Sequence, residues 1–273
     1  RGDVPVFVGA SGPCVGEARS AAGIHGVNGL GGIELPTTEK SAEKMSGPDA
    51  IFELVSEHPG STLVTLGPLT NLAMALNIHP QLKDFLGREV VMGGAVERGN
   101  ATQFAEFNFY ADPESVQAVL DTGIPLEVAT WDACVQSALT DEHIGAAAGR
   151  GDDGVAASTG NGGKIAGGRS DDEGPGAGRA RELFGRLAGG LLERVEALFG
   201  FHMVPLADPL AMAYALAPDI AAQTLRRGLV MELMPTVMRG KSALCEGGNA
   251  TILMSADRER FVHILRTHLA RAG

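Results

Sequence analysis

The sequence is short of positive charge, cysteine and long apolar runs. Its 22 Lys and Arg against 33 Asp and Glu give a formal net charge of -11, and such a surface repels phosphate backbones, which excludes nucleic acid as an expected partner. No apolar run approaches the roughly 20 residues of a membrane helix, and no basic-then-apolar leader opens the chain. A soluble, cytoplasmic protein with no membrane partner is the expectation. Three cysteines, Cys14, Cys134 and Cys245, stand far apart without the CxxC spacing of a zinc or redox site. They read as reduced, mostly buried thiols. What is present is ordinary for a globular protein: 44% apolar and 20% charged residues over 273 positions, enough to bury a substantial core.

Short apolar runs alternate with helix-like segments. "VPVFVGA", "STLVTLG", "REVVMGG" and "IPLEVAT" read as buried strands, each followed by loop and helix signals. That alternation predicts parallel strands joined by crossover helices. Helix starts are legible at Asp112 followed by Pro113, at Thr140, and at Asp208 followed by Pro209, where a short polar side chain can cap and proline has no amide to leave unsatisfied. In open parallel sheets ligands bind beyond the carboxyl ends of the strands, so the loops after Gly67, Gly94 and Thr130 are the places to look for a site. Residues 145–178, rich in Gly, Ser and Asp, read as a loop or insertion. Beyond it, "RARELFGRLAGGLLERVEALFG" has helical spacing, "LVMELM" and "ATILMSA" read as strands, and an amphipathic helix closes the chain.

One stretch stands out against this pattern. "NATQFAEFN" sets Asn100, Glu106 and Asn108 among Phe104, Ala105 and Phe107, and burying an unpaired amide or carboxylate costs several kcal/mol. Either these groups face water or something pairs with them. "GPLTNLAMAL" reads as a turn with Thr70 or Asn71 available to the free amides of a helix start, and "HGVNGLGG" places His25 in a glycine-rich loop that could approach a ligand closely. Asp208 alone reads as a helix cap.

Taken in order, "PVFVGASGP", "IHGVNGLGG", "GPLTNLA", "VMGG", "GNATQFAEFNFYADPES", "DPLAMAY" and "MRGKSA" resemble the inosine-uridine-preferring nucleoside hydrolase family. The resemblance implies a single α/β domain over 1–273 with a Rossmann-like, mostly parallel sheet flanked by helices. It also implies hydrolysis of the N-glycosidic bond of ribonucleosides to ribose and free base, serving purine and pyrimidine salvage, with Ca2+ holding the attacking water. By the same resemblance Asn100, Glu106 and Asn108 bond the ribose hydroxyls, Met92 packs against the sugar, and His25 lies near the leaving base. Asp208 and the main-chain carbonyl of Leu66 match calcium ligands, Asp208 also touching a ribose hydroxyl. The partner is a small-molecule ribonucleoside, and homo-oligomers are common in the family.

Two departures from the family pattern shape the expectations. Calcium takes six to eight oxygens, mostly carboxylates, and only Asp208 and Leu66 can be matched. The family's aspartate-rich loop and first strand lie ahead of the position of Arg1, so the sequence reads as an N-terminally truncated domain, inactive as written. Ala207 stands where many members carry a histidine that protonates the leaving base, so no catalytic residue is assigned in the chain. The alternative reading is a non-catalytic ribose- or nucleoside-binding pseudoenzyme.

Overall fold

The computed structural model describes residues 4–150 and 174–272. In chain order its elements are β1 (Phe7–Val8), α1 (Ala22–His25), β2 (Glu43–Ser46), α2 (Gly47–Glu57), β3 (Thr62–Thr65), α3 (Thr70–Ile78), β4 (Arg88–Met92), α4 (Phe107–Ala111), α5 (Pro113–Asp121) and β5 (Leu126–Ala129). There follow α6 (Trp131–Gln136), α7 (Asp141–Ala147), α8 (Ala177–Phe199), α9 (Ala207–Leu216), β6 (Ala221–Met231), β7 (Ser242–Ala256) and α10 (Arg258–Ala270). The chain divides into two units, one of Arg1–Ser20, Pro36–Ser137 and Ala207–Asp257, the other of Ala21–Leu35, Ala138–Leu206 and Arg258–Gly273. Among the described residues no helix is long and apolar enough to cross a membrane.

The first unit is built on a five-stranded sheet of order β3-β4-β5-β7-β6, in which all neighbours run parallel except the edge strand β6. This is the mixed α/β architecture, with a central, mostly parallel sheet flanked by helices, that the alternation of apolar runs predicts. Val91, Leu126, Val128 and Ile252 of the sheet pack with Leu72 and Leu76 of α3 and with Val116 and Val119 of α5, residues spaced three or four apart so that one stripe of each helix meets the sheet. Each such side chain contributes roughly 1.5–3 kcal/mol by leaving water. α9 packs across β3, β4 and β5. Arg88, at the start of β4, donates to the carbonyl of Ala215 in the last turn of α9 at 2.9 Å. The first turn of α9, with Asp208, therefore lies toward the carboxyl ends of the strands, since the helix and β4 are each about 15 Å long.

The hairpin β6–β7 shifts its register partway along. Arg227 pairs with Ala250 but Gly228 with Cys245, so residues 246–249 loop out between the two pairings. Beyond the shift the hairpin lies along α5: the amide of Met231 donates to Gln117 Oε1 at 2.9 Å, and Arg239 Nη2 donates to both carboxylate oxygens of Glu114 at 2.7 and 2.8 Å. The second unit is helical, with α7, α8 and α10 packed on one another and α1 on α8. α8 runs unbroken through Gly189 and Gly190 and ends at Gly200, whose φ of 72° is the left-handed conformation a helix stop favours.

Several expectations are corrected. The apolar run at the start is not a buried strand: only Phe7 and Val8 pair, with β2, in a separate two-stranded sheet, and Val4, Val6 and Val8 are 54%, 61% and 64% exposed. A strand hides both faces only where layers cover them, and none covers these valines among the described residues. Asp208 is not a cap, because α9 already begins at Ala207. Thr70 and Asn71 do not cap α3: Thr70 donates to Asp112 at 2.6 Å, and Asn71 Oδ1 accepts from the amide of Ala10 at 2.8 Å, fixing the loop after β1. Of the cysteines only Cys134 is buried; Cys14 and Cys245 are exposed. The expected loop at 145–178 is helical at its ends, Gly145 lying in α7 and Ala177 opening α8, and its residues 151–173 lie outside the described residues.

Candidate functional site

At the carboxyl end of β4 the chain turns sharply through Gly93 and Gly94. Gly94 has φ of 71°, and a Cβ there would stand 2.9 Å from the Phe109 ring and 3.1 Å from Ser242 Oγ, so neither backbone nor space admits a side chain. The turn aims the amide of Gly94 at Glu106 Oε2, 3.0 Å away. Glu106 is the N-cap of α4: Oε1 accepts from the amide of Asn108 at 2.9 Å, and Oε2 accepts from the amide of Phe109 at 3.1 Å. The carboxylate is 2% exposed. Burial pushes it up to about 7 against these three backbone bonds, and the charge of Asp208 adds to the rise. Asp208 acts on buried Cys134 in the same direction, which places its charge close to this turn.

Asn108 is oriented from beneath. Its Nδ2 donates to the carbonyl of Met92 at 3.0 Å and to that of Leu66 at 3.3 Å, with Met92 Sδ at 3.2 Å. Leu66 follows β3 and Met92 ends β4, so one side chain ties together the carboxyl ends of two neighbouring strands. Asn100 lies on the exposed side of the same turn, where its Oδ1 accepts from the amide of Phe107 at 2.8 Å. Five of the sequence-predicted residues, Asn100, Glu106, Asn108, Met92 and Leu66, thus form one bonded cluster, beyond the strands that the alternation of apolar runs singles out. His25 is exposed at the end of α1 and belongs to the other unit. There Arg194 of α8 donates to the carbonyl of Ile24 at 2.7 Å and holds the glycine-rich loop.

Three supporting residues carry no functional signal in the sequence. Ser242 Oγ accepts from the amide of Ala95 at 3.1 Å and donates to its carbonyl at 3.0 Å, clamping the turn that presents Gly94. Asp132 accepts from the amides of Val96 and Glu97 at 2.7 and 2.9 Å. Asp112, fully buried, caps α5 through Ser115 and also accepts from the amide of Cys14 at 2.8 Å and from Thr70. The sequence marked Asp112 only as a cap, because its two distant partners are adjacent only in the fold.

The oxygen donors do not fit the calcium ion that the sequence resemblance implies. Among the described residues no group of three or more His, Cys, Asp or Glu stands together to hold a metal. The two matched ligands, the Asp208 carboxylate and the Leu66 carbonyl, supply far fewer oxygens than the six to eight calcium takes.

The sequence model of the family described as inosine-uridine preferring nucleoside hydrolase matches residues 1–263. The chain is 30% identical over 278 residues to the pyrimidine-specific ribonucleoside hydrolase RihA of Citrobacter koseri, covering 99% of this chain and 80% of that one. Against the RihA of Shewanella oneidensis it is 30% identical over 284 residues, 99% and 79% of the two chains. Its fold superimposes on an inosine-guanosine nucleoside hydrolase with a TM-score of 0.81, at 26% identity over 99% of this chain and 83% of that one. A purine-preferring ribonucleoside hydrolase from Gardnerella vaginalis shares the fold with a TM-score of 0.80, at 24% identity over 98% of this chain and 80% of the other. With a whole-chain match in sequence and in fold, the chain belongs to the inosine-uridine preferring nucleoside hydrolase family.

Proposed function

We propose that the protein binds ribonucleosides by their sugar at the Asn100–Glu106–Asn108 cluster and hydrolyses the N-glycosidic bond to ribose and free base. The observation that carries this reading is the cluster itself, a buried carboxylate and an oriented amide at the carboxyl ends of β3 and β4. A ribose presents hydroxyls that donate and accept at fixed spacing, and a cluster locked by backbone bonds meets them without reorganising. Sugar held in one orientation is what hydrolysis needs, since the departing base leaves a flattened, positively charged ring in a fixed direction. Met92 closes the floor beneath Asn108, and Asp208 extends the negative edge of the site toward that developing charge. Calcium enters no step derived from these residues, because its donor set is incomplete among them.

Ala207 cannot transfer a proton, so the base must depart with a proton from elsewhere. That weighs against the pyrimidine specificity named for the RihA relatives and toward bases that other groups can protonate. A second reading, a nucleoside-binding protein without catalysis, draws on the same alanine and on the sparse carboxylates.

Release of free base from inosine and uridine, followed by chromatography on the full protein supplied with divalent metal, tests the proposal. Base release that falls by about 10²-fold or more in Asn108→Ala is expected. Nucleoside binding with no release from either substrate establishes the non-catalytic reading instead.

A further inference from the structure

A cavity of about 210 Å3 opens at the amino ends of β4 and β5, the opposite end of the sheet from Asn108. It is smaller than the roughly 300–1,000 Å3 of sites for drug-sized ligands, yet at about 30 Å3 for each water it has room for roughly seven. Leu86, Ile124 and Leu126 make part of its wall apolar. Its polar groups divide into those the fold satisfies and those it does not. Arg88 is satisfied: Nε and Nη2 each donate to a Glu127 oxygen at 2.7 Å, and Nη1 donates to the carbonyl of Ala215. Lys83 and Arg226 also line the cavity, both exposed, and neither side chain meets a partner among the described residues. In a protein of net charge -11, two cations at one cavity without a carboxylate of their own make a local excess of the opposite sign.

Glu89, in the same wall, does not supply that carboxylate. It is 2% exposed, and burial raises it to about 8, so near neutrality it is a carboxylic acid. Its Oε1 accepts from Thr65 Oγ1 at 3.0 Å, which leaves the proton to Oε2, and Oε2 meets no partner among the described residues. Buried hydroxyl donors are almost always matched by an acceptor. What the cavity lacks is therefore an acceptor that also carries negative charge.

We infer that this cavity is a second ligand site, which takes a small organic anion, a phosphate monoester or a carboxylate, with its oxygens among Lys83, Arg226 and the Glu89 acid and its carbon body against Leu86, Ile124 and Leu126. Anionic oxygens accept from all three donors, and bonds to charged donors are the stronger kind. A cation would meet two like charges instead, and an apolar molecule would leave the Glu89 proton unmatched. Asn249 Nδ2 donates to the carbonyl of Gly123, so its Oδ1 remains to accept from a hydroxyl of the same ligand. Nucleoside hydrolysis beyond the other end of the strands uses none of these groups, so the inference does not rest on that reading.

The test titrates glycerol 3-phosphate and glycerate, which share a short hydroxylated chain and differ in the anionic head, into the full protein at pH 7 by calorimetry, with glycerol as the neutral control. At least one anion should bind at one site per chain where glycerol does not, and the better head identifies which of the two chemistries the site takes. Lys83→Gln and Arg226→Gln should each weaken that binding about 10-fold or more while leaving the melting temperature of the protein unchanged. Glu89→Gln, which keeps a donor in place of the acid, should bind like the parent, and Glu89→Met, which removes it, should bind about 10-fold more weakly. Loss of binding in Glu89→Gln would mean that the site needs an ionised carboxylate, and would overturn the anion assignment. Affinity that is unchanged in both Lys83→Gln and Arg226→Gln would place the anion elsewhere. No binding of either anion at millimolar concentration would remove the site.

Discussion

Two glutamates, one at the foot of β4 and one beyond its carboxyl end, are buried to the same degree and held in different ways. Glu89 and Glu106 are each 2% exposed. Glu106 meets three backbone amides, whereas Glu89 accepts a single bond, from Thr65 Oγ at 3.0 Å, and its Oε2 meets no partner among the described residues. Burial drives both carboxyls up, Glu106 to about 7 and Glu89 to about 8. The difference separates two uses of a buried acid. At the candidate site the backbone is folded around the carboxylate so that its charge survives near neutrality, while at the foot of the sheet the acid is buried with a single hydroxyl for company and keeps its proton. Nearby, half-buried Arg88 and buried Tyr214 hold Glu127 low instead, showing that the sheet pairs a carboxylate where it can.

The sharpest way to break the comparison is to delete each carboxylate. Glu106→Ala strands the amides of Gly94, Asn108 and Phe109, and at roughly 1–3 kcal/mol for each buried unsatisfied group the loss should reach about 3–9 kcal/mol, with nucleoside affinity lost as well. Glu89→Gln strands no donor of the fold and should stabilise the protein near pH 8. Urea denaturation of both variants reads this directly, and destabilisation of similar size in both would erase the distinction.

The pH dependence of Glu89→Gln is next in size. Because the folded pKa of Glu89 is raised from 4.5 to about 8, its contribution to stability is fully present below about pH 4.5. It is lost as pH rises toward 8, since the unfolded chain releases a proton that the folded chain keeps. At about 1.36 kcal/mol per pH unit that loss is on the order of 5 kcal/mol. Glu106 adds a smaller loss of the same sign that ends near pH 7. The advantage of Glu89→Gln over the parent should therefore be near zero at pH 4.5 and largest at pH 8. An advantage that stays flat across that window would mean Glu89 titrates normally in the fold.

These contrasts also show how much could be read from the chain before folding. Strands β3, β4 and β5 stand where their apolar runs predict, because a strand covered on both faces leaves a continuous apolar signature. The cluster at Asn100, Glu106 and Asn108 was legible as polar residues in apolar company, yet nothing in "NATQFAEFN" says that Glu106 spends three of its acceptor directions on backbone. Ser242 was silent for the same reason: it is separated from Ala95 by the whole course of α4 to β6 and meets it only because the hairpin lies along α5. β1 was misread because its apolar pattern implies a cover that the described residues do not provide.

Ser242→Ala tests that silent support. Losing both bonds to Ala95 should cost about 1–3 kcal/mol in stability. Because the turn it clamps presents Gly94 to Glu106, nucleoside affinity should fall as well, while Asp132→Asn, which loosens the neighbouring amides of Val96 and Glu97, should affect affinity less. Calorimetry on both variants separates a clamp on the site from general softening of the loop.

The smallest expected effect comes from Thr65→Val, which takes from Glu89 the one bond that opposes its burial. Valine matches threonine in shape, so the core stays filled, and the lost neutral hydrogen bond costs about 1 kcal/mol. The bond also favours the ionised form, and without it the Glu89 pKa must rise further. Loss of stability with pH should then continue beyond the point where the parent levels off, making Thr65→Val slightly worse at pH 9 than at pH 5. In a Glu89→Gln background that extra slope should vanish, because no proton remains to be held. Denaturation midpoints of the two single variants and the double variant, taken at both pH values, close the cycle. A slope that persists in the double variant would show that Thr65 acts on the fold by some route other than the buried carboxyl.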